Sequence, residues 1–196
     1  MLSEGDKAPD FSLQGATGTV TLSSLLGPAK GVGSAPRRYV VVYFYPKDKT
    51  PGCTREGQAF SAAAAAYKKA GAVVVGISKD SVITHASFAA SSGITVPLLS
   101  DTDLTAHRAY GAYGEKTMYG KKVLGTIRST FVVAPDGTLA RVFSSVKVDG
   151  HADAVLAAIT RHANGESDGD SRAAAKKTKA TPAKKTATAK PKKSAR

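Results

Sequence analysis

Val40-Val41-Val42-Tyr43-Phe44-Tyr45-Pro46-Lys47-Asp48-Lys49-Thr50-Pro51-Gly52-Cys53-Thr54-Arg55-Glu56 decides the fold of this 196-residue chain. Its first six residues are β-branched or aromatic and carry no charge, which reads as a buried strand. Pro46 has no N–H to give a sheet ladder, so the strand is expected to stop there. A polar loop follows, punctuated by Pro51 and Gly52. The alanine-rich run Phe60 to Lys69 then reads as a helix. Cys53, the single cysteine of the chain, falls where loop becomes helix. A thiol there faces unpaired N–H groups and the positive end of the helix dipole, both of which stabilise a thiolate. The competing reading is a buried, inert cysteine, and only the neighbours of Cys53 separate the two.

Outward from this stretch the pattern is regular. Upstream, Phe11-Ser12-Leu13-Gln14 and Val20-Thr21-Leu22 flank a Gly15–Gly18 turn and read as a β-hairpin. Ser23-Ser24-Leu25-Leu26 suits a short helical turn, and residues 27–38 read as a Gly, Pro and Ser-rich surface loop. Downstream, Ala72 to Ser78 is a second buried strand. Ser81 to Ser92 reads as a helix with Val82, His85, Phe88 and Ala89 at helical spacing. Val96 to Ser100 reads as a short or edge strand, and Leu104 to Tyr110 as a helix. Beyond a glycine-containing link, Tyr119-Gly120-Lys121-Lys122, comes a strand over Thr126 to Ala134. Pro135-Asp136-Gly137 turns the chain into an antiparallel partner, Thr138 to Phe143. His151 to Arg161 closes it as an amphipathic helix with Ala154, Val155, Ala158 and Ile159 on the apolar side. The order β-α-β-α, then β-β-α, implies a mixed central sheet flanked by helices. This is an α/β, thioredoxin-like arrangement, preceded by an N-terminal β-hairpin.

Charge divides the chain. Net charge is +13, from 28 basic and 15 acidic side chains. Residues 171–196 hold ten of the basic ones and no acid; without them 18 basic face 15 acidic, a net of +3. The expected organisation is a folded domain over 1–163 and a linker with a disordered Lys/Ala/Pro-rich tail over 164–196. The tail has no aromatic or large aliphatic residue with which to bury a core. A single cysteine rules out an internal disulfide and points to a reducing compartment. The N-terminus lacks a hydrophobic signal core. No apolar run approaches the roughly 20 residues that span a bilayer. His85, His107, His151 and His162 are scattered without metal-ligand spacing, so no metal is expected. His151 reads as a helix-start residue. No phosphate-binding or dinucleotide fingerprint follows a strand, so no nucleotide cofactor is expected.

The run Pro46-Lys47-Asp48-Lys49-Thr50-Pro51-Gly52-Cys53 resembles the Pro-x-x-x-Thr-x-x-Cys signature of peroxiredoxins. More narrowly the chain is similar to the bacterioferritin-comigratory-protein, or peroxiredoxin Q, branch. The likeness extends through Gly76-Ile77-Ser78-Lys79-Asp80-Ser81, Pro97 to Asp101, Gly114 to Lys122 and Ile127 to Val132, and covers about Leu2 to Arg161. It implies a thiol peroxidase. Cys53 would attack one peroxide oxygen and become a sulfenic acid. Thr50 would orient the peroxide and Pro46 would shield the pocket. Arg128 would stabilise the thiolate and the leaving oxygen. Glu56 would hold that arginine. Read without the family, Thr50 is a cap or loop residue, Pro46 a strand terminator, Arg128 half of a structural ion pair, and Glu56 a first-turn helix carboxylate favoured by the dipole.

The chain departs from the branch at one position. Many members carry a resolving cysteine five positions beyond the peroxidatic one; here that residue is Gln58. The expectation is a one-cysteine cycle completed by thioredoxin, glutaredoxin or glutathione, in a monomer. The tail is similar to linker-histone tails and to lysine-rich extensions of nucleoid proteins. Such a segment contacts DNA without sequence preference. Lys176-Lys177-Thr178-Lys179 also suits a nuclear-import signal, which would place the protein in a nucleus, or at the nucleoid where there is none. The alternative function class is a chromatin-associated binding protein or redox sensor on a thioredoxin-like scaffold. Substitution of Cys53 and removal of the tail discriminate the two.

Overall fold

The structure is a computed structural model. It describes residues 2–28, 37–118 and 121–166. The chain divides into two units, Met1–Glu166 and Ser167–Arg196, and the architecture below is that of the first. Most of the expected loop over 27–38, the Tyr119–Gly120 link and the tail beyond Glu166 lie outside the described residues.

The quoted stretch supplies the central strand. Its elements in chain order are β1 (Ser12–Gly15), β2 (Gly18–Thr21), α1 (Leu22–Leu26), β3 (Tyr39–Phe44), α2 (Pro51–Ala62), α3 (Ala64–Lys69), β4 (Ala72–Ser78) and α4 (Val82–Ser92). Then come β5 (Leu98–Ser100), α5 (Thr105–Ala109), β6 (Tyr113–Met118), β7 (Lys121–Thr126), β8 (Ser129–Val133), β9 (Leu139–Ser144) and α6 (His151–Ala163). Seven strands form one sheet in the order β2-β1-β5-β4-β3-β8-β9, and β6 and β7 pair separately. β3 runs parallel to β4 and antiparallel to β8. β5 is not an edge, because β4 and β1 flank it.

Alternation along β3 sorts the core into two layers. Tyr39, Val41, Tyr43 and Tyr45 join Cys53 and Phe60 of α2, Tyr67 of α3, Phe88 of α4, and Val155 and Ile159 of α6. Val40, Val42 and Phe44 join Leu22 and Leu26 of α1, Ala106 of α5, and Tyr110 just beyond it. With both faces covered, every residue of β3 is buried, which explains the unbroken apolar run. At Gly76 a Cβ would lie 2.5 Å from Tyr43 Cζ. The absent side chain lets the Tyr43 ring lie against β4, stacked on Phe60 at 4.7 Å.

Three expectations are corrected. The helix after the loop begins at Pro51, not Phe60, and breaks at Ala63 into α2 and α3. Pro51 suits the first helical position because its missing N–H has no partner to lose there. Second, Tyr113–Met118 and Lys121–Thr126 pair as the antiparallel strands β6 and β7, so Lys121 and Lys122 belong to a strand and not to the expected Tyr119–Lys122 link. Third, Arg128 is not within a strand. It occupies the Ile127–Arg128 step between β7 and β8, fixed by Ile127 N–H on Ala112 O (2.8 Å) and Val146 N–H on Arg128 O (3.1 Å).

Candidate active site

The site is built at the carboxyl end of β3, where the strand hands over to α2. Tyr45 N–H donates to Ile77 O, prolonging the parallel pairing by one residue. Pro46 then ends it, as expected from its missing donor, and is half-buried. The loop doubles back through Lys49 at φ +60°, a left-handed conformation unusual for a side-chain-bearing residue. Thr50 is the N-cap of α2, with extended backbone and no side-chain cap bond. Its hydroxyl donates to Lys47 O at 3.0 Å, closing the loop on itself.

Cys53 is the third residue of α2, 2% exposed, with its thiol free. The first-turn N–H groups around it receive no side-chain cap, so the helix terminus presents its partial positive charge there. Arg128, distant in sequence, completes the environment. Its Nη2 donates to Cys53 Sγ at 3.2 Å, and its Nη1 pairs with Glu56 Oε2. Gly52 lies beside this contact, since a Cβ there would touch Arg128 Nη2 at an ordinary 3.5 Å.

Glu56 lies one turn beyond Cys53, outside the first turn of α2, so the dipole is not what holds it. It is 1% exposed, and its Oε1 has no partner. Burial pushes its carboxyl up to about 7 despite the Arg128 guanidinium, which acts in the opposite sense. The guanidinium is itself held above its usual range: burial lowers it, but Glu56 and Cys53 outweigh that. Cys53, Glu56 and Arg128 thus form one contact cluster, with Thr50 at the cap of the same helix and Pro46 at the loop entrance.

Three contributors escaped sequence reasoning. Tyr43 lies beneath the site, and burial, then Glu56 and Cys53, hold its phenol well above the ordinary range. Lys116 is carried in by the β6–β7 hairpin, and its ammonium donates to Thr126 O at 2.7 Å. Burial lowers its basicity, Arg128 and Lys79 lower it further, and Cys53 opposes them. Asp48, in the loop itself, is 4% exposed. It accepts Tyr45 Oη at 2.7 Å and meets His85 Nδ1 at 2.8 Å. Its own N–H donates to Asp80. Helical spacing placed His85 on the inner face of α4, but not its partner. His151 is the first residue of α6, as expected, and its Nε2 meets Thr130 Oγ1 at 2.8 Å.

Gln58 is exposed on α2, and its side-chain amide donates to Ser92 O at 2.9 Å. It joins α2 to the end of α4 at the position where a resolving cysteine was sought.

Residues 4–142 match the AhpC/TSA family. The chain is 47% identical over 153 residues to Peroxiredoxin Bcp of Xanthomonas campestris pv. campestris, covering 78% of this chain and 96% of that one. It is 37% identical over 163 residues to Peroxiredoxin Bcp of Escherichia coli, covering 83% and 98%. A solved structure of the Xanthomonas bacterioferritin comigratory protein, from work on its alkyl peroxide reduction, superposes with a TM-score of 0.69. Identity there is 45%, over 78% of this chain and 92% of that one. The Xanthomonas protein has also been solved as serine variants at two different cysteines, whereas this chain has only Cys53. A buried thiol facing an arginine at the mouth of a thioredoxin-like sheet is therefore no isolated coincidence. The chain belongs to the AhpC/TSA family, in its Bcp or peroxiredoxin Q branch, and is a peroxidase that draws its electrons from thiols.

Proposed function

We propose that Cys53 is the peroxidatic nucleophile and that an external thiol completes each turnover. The supporting observation is the 3.2 Å contact from Arg128 Nη2 to Cys53 Sγ. A guanidinium there stabilises the anionic sulfur in the ground state. It also faces the oxygen that gains charge as the O–O bond breaks. The thiolate attacks one peroxide oxygen and an S–O bond forms. The O–O bond breaks, and the departing oxygen takes up a proton to leave as water or alcohol. Thr50 already donates its proton to Lys47 O, which leaves its oxygen lone pairs to accept from the peroxide O–H and orient it. Pro46 limits water access. Glu56 fixes the guanidinium through Nη1 and leaves Nη2 to the sulfur.

Without a second cysteine the sulfenic acid has no internal partner. An external thiol forms a mixed disulfide with Cys53, and a second thiol releases it; thioredoxin, glutaredoxin and glutathione are the candidate donors. Intact-mass measurement after one equivalent of peroxide tests the cycle. One added oxygen on Cys53, removed by each competent donor, supports it. A Cys53→Ser variant that still turns over peroxide at the native rate overturns it.

We further infer a division of labour, with residues 1–163 catalysing and 164–196 tethering. Ten basic and no acidic side chains over 171–196 suit the release of counterions from DNA phosphates. In a nucleated cell the same lysines would serve import. Gel shift at low and high salt, with the full chain and with a chain ending at Glu166, is the test. A shift that survives removal of the tail rejects the tether.

A further inference from the structure

Oxidation changes the charge of the site, and the fold supplies a surplus of cations around it. In the thiolate state Cys53 and Glu56 share Arg128, and Glu56, its carboxyl pushed up to about 7 by burial, is only partly ionised at neutral pH. Lys116 adds a second positive group, fixed by its bond to Thr126 O two residues before Arg128. Gly125, paired with Gly114 on the facing strand, leaves room for the lysine stem, since a Cβ there would lie 3.2 Å from Lys116 Cε. Lys79 follows the end of β4, beside the end of β3 that leads into the site.

The neighbouring acids are already engaged. Glu115 meets Lys122 at 3.5 Å. Asp80 accepts from Asp48 N–H at 2.9 Å and Ser78 Oγ at 2.8 Å. Among the described residues neither Lys116 nor Lys79 has a carboxylate within ion-pair distance. Conversion of Cys53 thiolate to neutral sulfenic acid removes the negative charge of the sulfur from beside Arg128. The oxidised site therefore carries one positive charge more than the reduced site, beside a partly buried ammonium where screening is weak.

We propose that the oxidised site selects small thiols that carry a carboxylate, held by Lys116 and Lys79 while their sulfur reaches Cys53. This names the reductant class for the external-thiol cycle and rests on that reading. The carboxylate sits on the lysines and the thiolate attacks the sulfenic sulfur. The S–S bond forms as the S–O bond breaks, and hydroxide leaves as water with the proton that the thiol released. A second thiolate attacks the donor sulfur of the mixed disulfide. It expels Cys53 as thiolate and departs as the oxidised donor. One sulfenic acid and two thiols thus give one thiolate, one proton, one disulfide and one water. Restored negative charge on Cys53 weakens the hold on the anion, which favours release.

The test uses the full chain oxidised with one equivalent of peroxide, with the sulfenic acid confirmed by its gain of one oxygen. Reduction is followed by stopped flow with 3-mercaptopropionate (anionic), 2-mercaptoethanol (neutral) and cysteamine (cationic), and rates are expressed per thiolate. The anionic thiol is expected to react about tenfold faster than the neutral one at low salt, with the cationic one slowest. The gap should close in high salt. It should narrow in Lys116→Gln and return in Lys116→Arg. Equal rates for anionic and neutral thiols at low salt overturn the selection while leaving the one-cysteine cycle standing. If no sulfenic acid forms on Cys53, the cycle fails and the selection fails with it.

Discussion

Glu56 meets Arg128 from a position that is 1% exposed, with its second carboxylate oxygen unpartnered. Burial raises its pKa to about 7 from the ordinary 4.5 of a glutamate. A raised folded-state value means that the native state binds this proton more tightly than the unfolded chain does. The stability it contributes is present in full below the unfolded value and is lost as pH rises through about 7. A shift of this size corresponds to about 3 kcal/mol. The difference in unfolding free energy between the native protein and Glu56→Gln should therefore fall by that order between pH 4.5 and 8. Urea unfolding across this range checks it, and a flat difference would show that Glu56 is not buried as described.

Arg128 serves two partners through separate nitrogens, Nη1 to Glu56 and Nη2 to Cys53. Lysine offers one compact ammonium in place of this fork. Arg128→Lys should therefore slow sulfenic acid formation by about a hundredfold, comparable with loss of one preorganised donor. Peroxide-dependent stopped flow measures it directly. A variant within twofold of the native rate would remove Arg128 from the chemistry.

Asp48 ties the active-site loop to α4, with Tyr45 on one oxygen and His85 on the other. Removal of one partner leaves a buried polar group unmatched, which costs about 3 kcal/mol. Asp48→Ala and His85→Leu should each destabilise by that order. The double variant should cost clearly less than their sum, because the two share one interaction. Strict additivity in urea unfolding would rule out the coupling. Since the same loop carries Thr50, Asp48→Ala should also lower peroxide turnover.

What the sequence made legible follows from which forces act locally. The run Val40–Tyr45 announces a buried strand because both of its faces are covered, and Pro46 stops the strand through its own chemistry. The helix expected over Ser81 to Ser92 shows in its spacing, and the structure makes Ser81 its cap, with Oγ accepting from Thr84 N–H. The β6–β7 hairpin was missed because no apolar alternation marks it: Glu115, Lys116 and Lys122 are polar, and Leu124 is exposed. Family likeness supplied Arg128 and Glu56, but not their geometry, since the contact spans 72 residues. Asp48 and His85, 37 residues apart, look like an ordinary loop acid and an ordinary helix histidine. Their partnership exists only once α4 packs against the loop. The start of α2 at Pro51 was hidden by Pro51 and Gly52, which read locally as loop but are tolerated in the first helical turn.

Gly76 has no side chain because the Tyr43 ring occupies that space. A Cβ there would come within 2.5 Å of Cζ and 2.6 Å of the hydroxyl of Tyr43, and within 2.9 Å of Leu98 Cδ2. The ring cannot swing aside freely, since it stacks on Phe60 at 4.7 Å and on Tyr45 at 5.6 Å. Gly76→Ala should therefore overpack the layer that holds Cys53, costing about 1–3 kcal/mol. Because Phe60 and Cys53 both belong to α2, the displaced ring should also disturb the sulfur and slow peroxide reduction. Tyr43→Leu removes the distal ring atoms and opens the space. Combined with Gly76→Ala it should destabilise less than the two separate effects summed, giving a favourable coupling of roughly 1 kcal/mol. Thermal and urea unfolding of the four proteins in this cycle measure that coupling. A coupling of zero would mean that the methyl group is accommodated elsewhere and that Tyr43 does not depend on a bare backbone at Gly76.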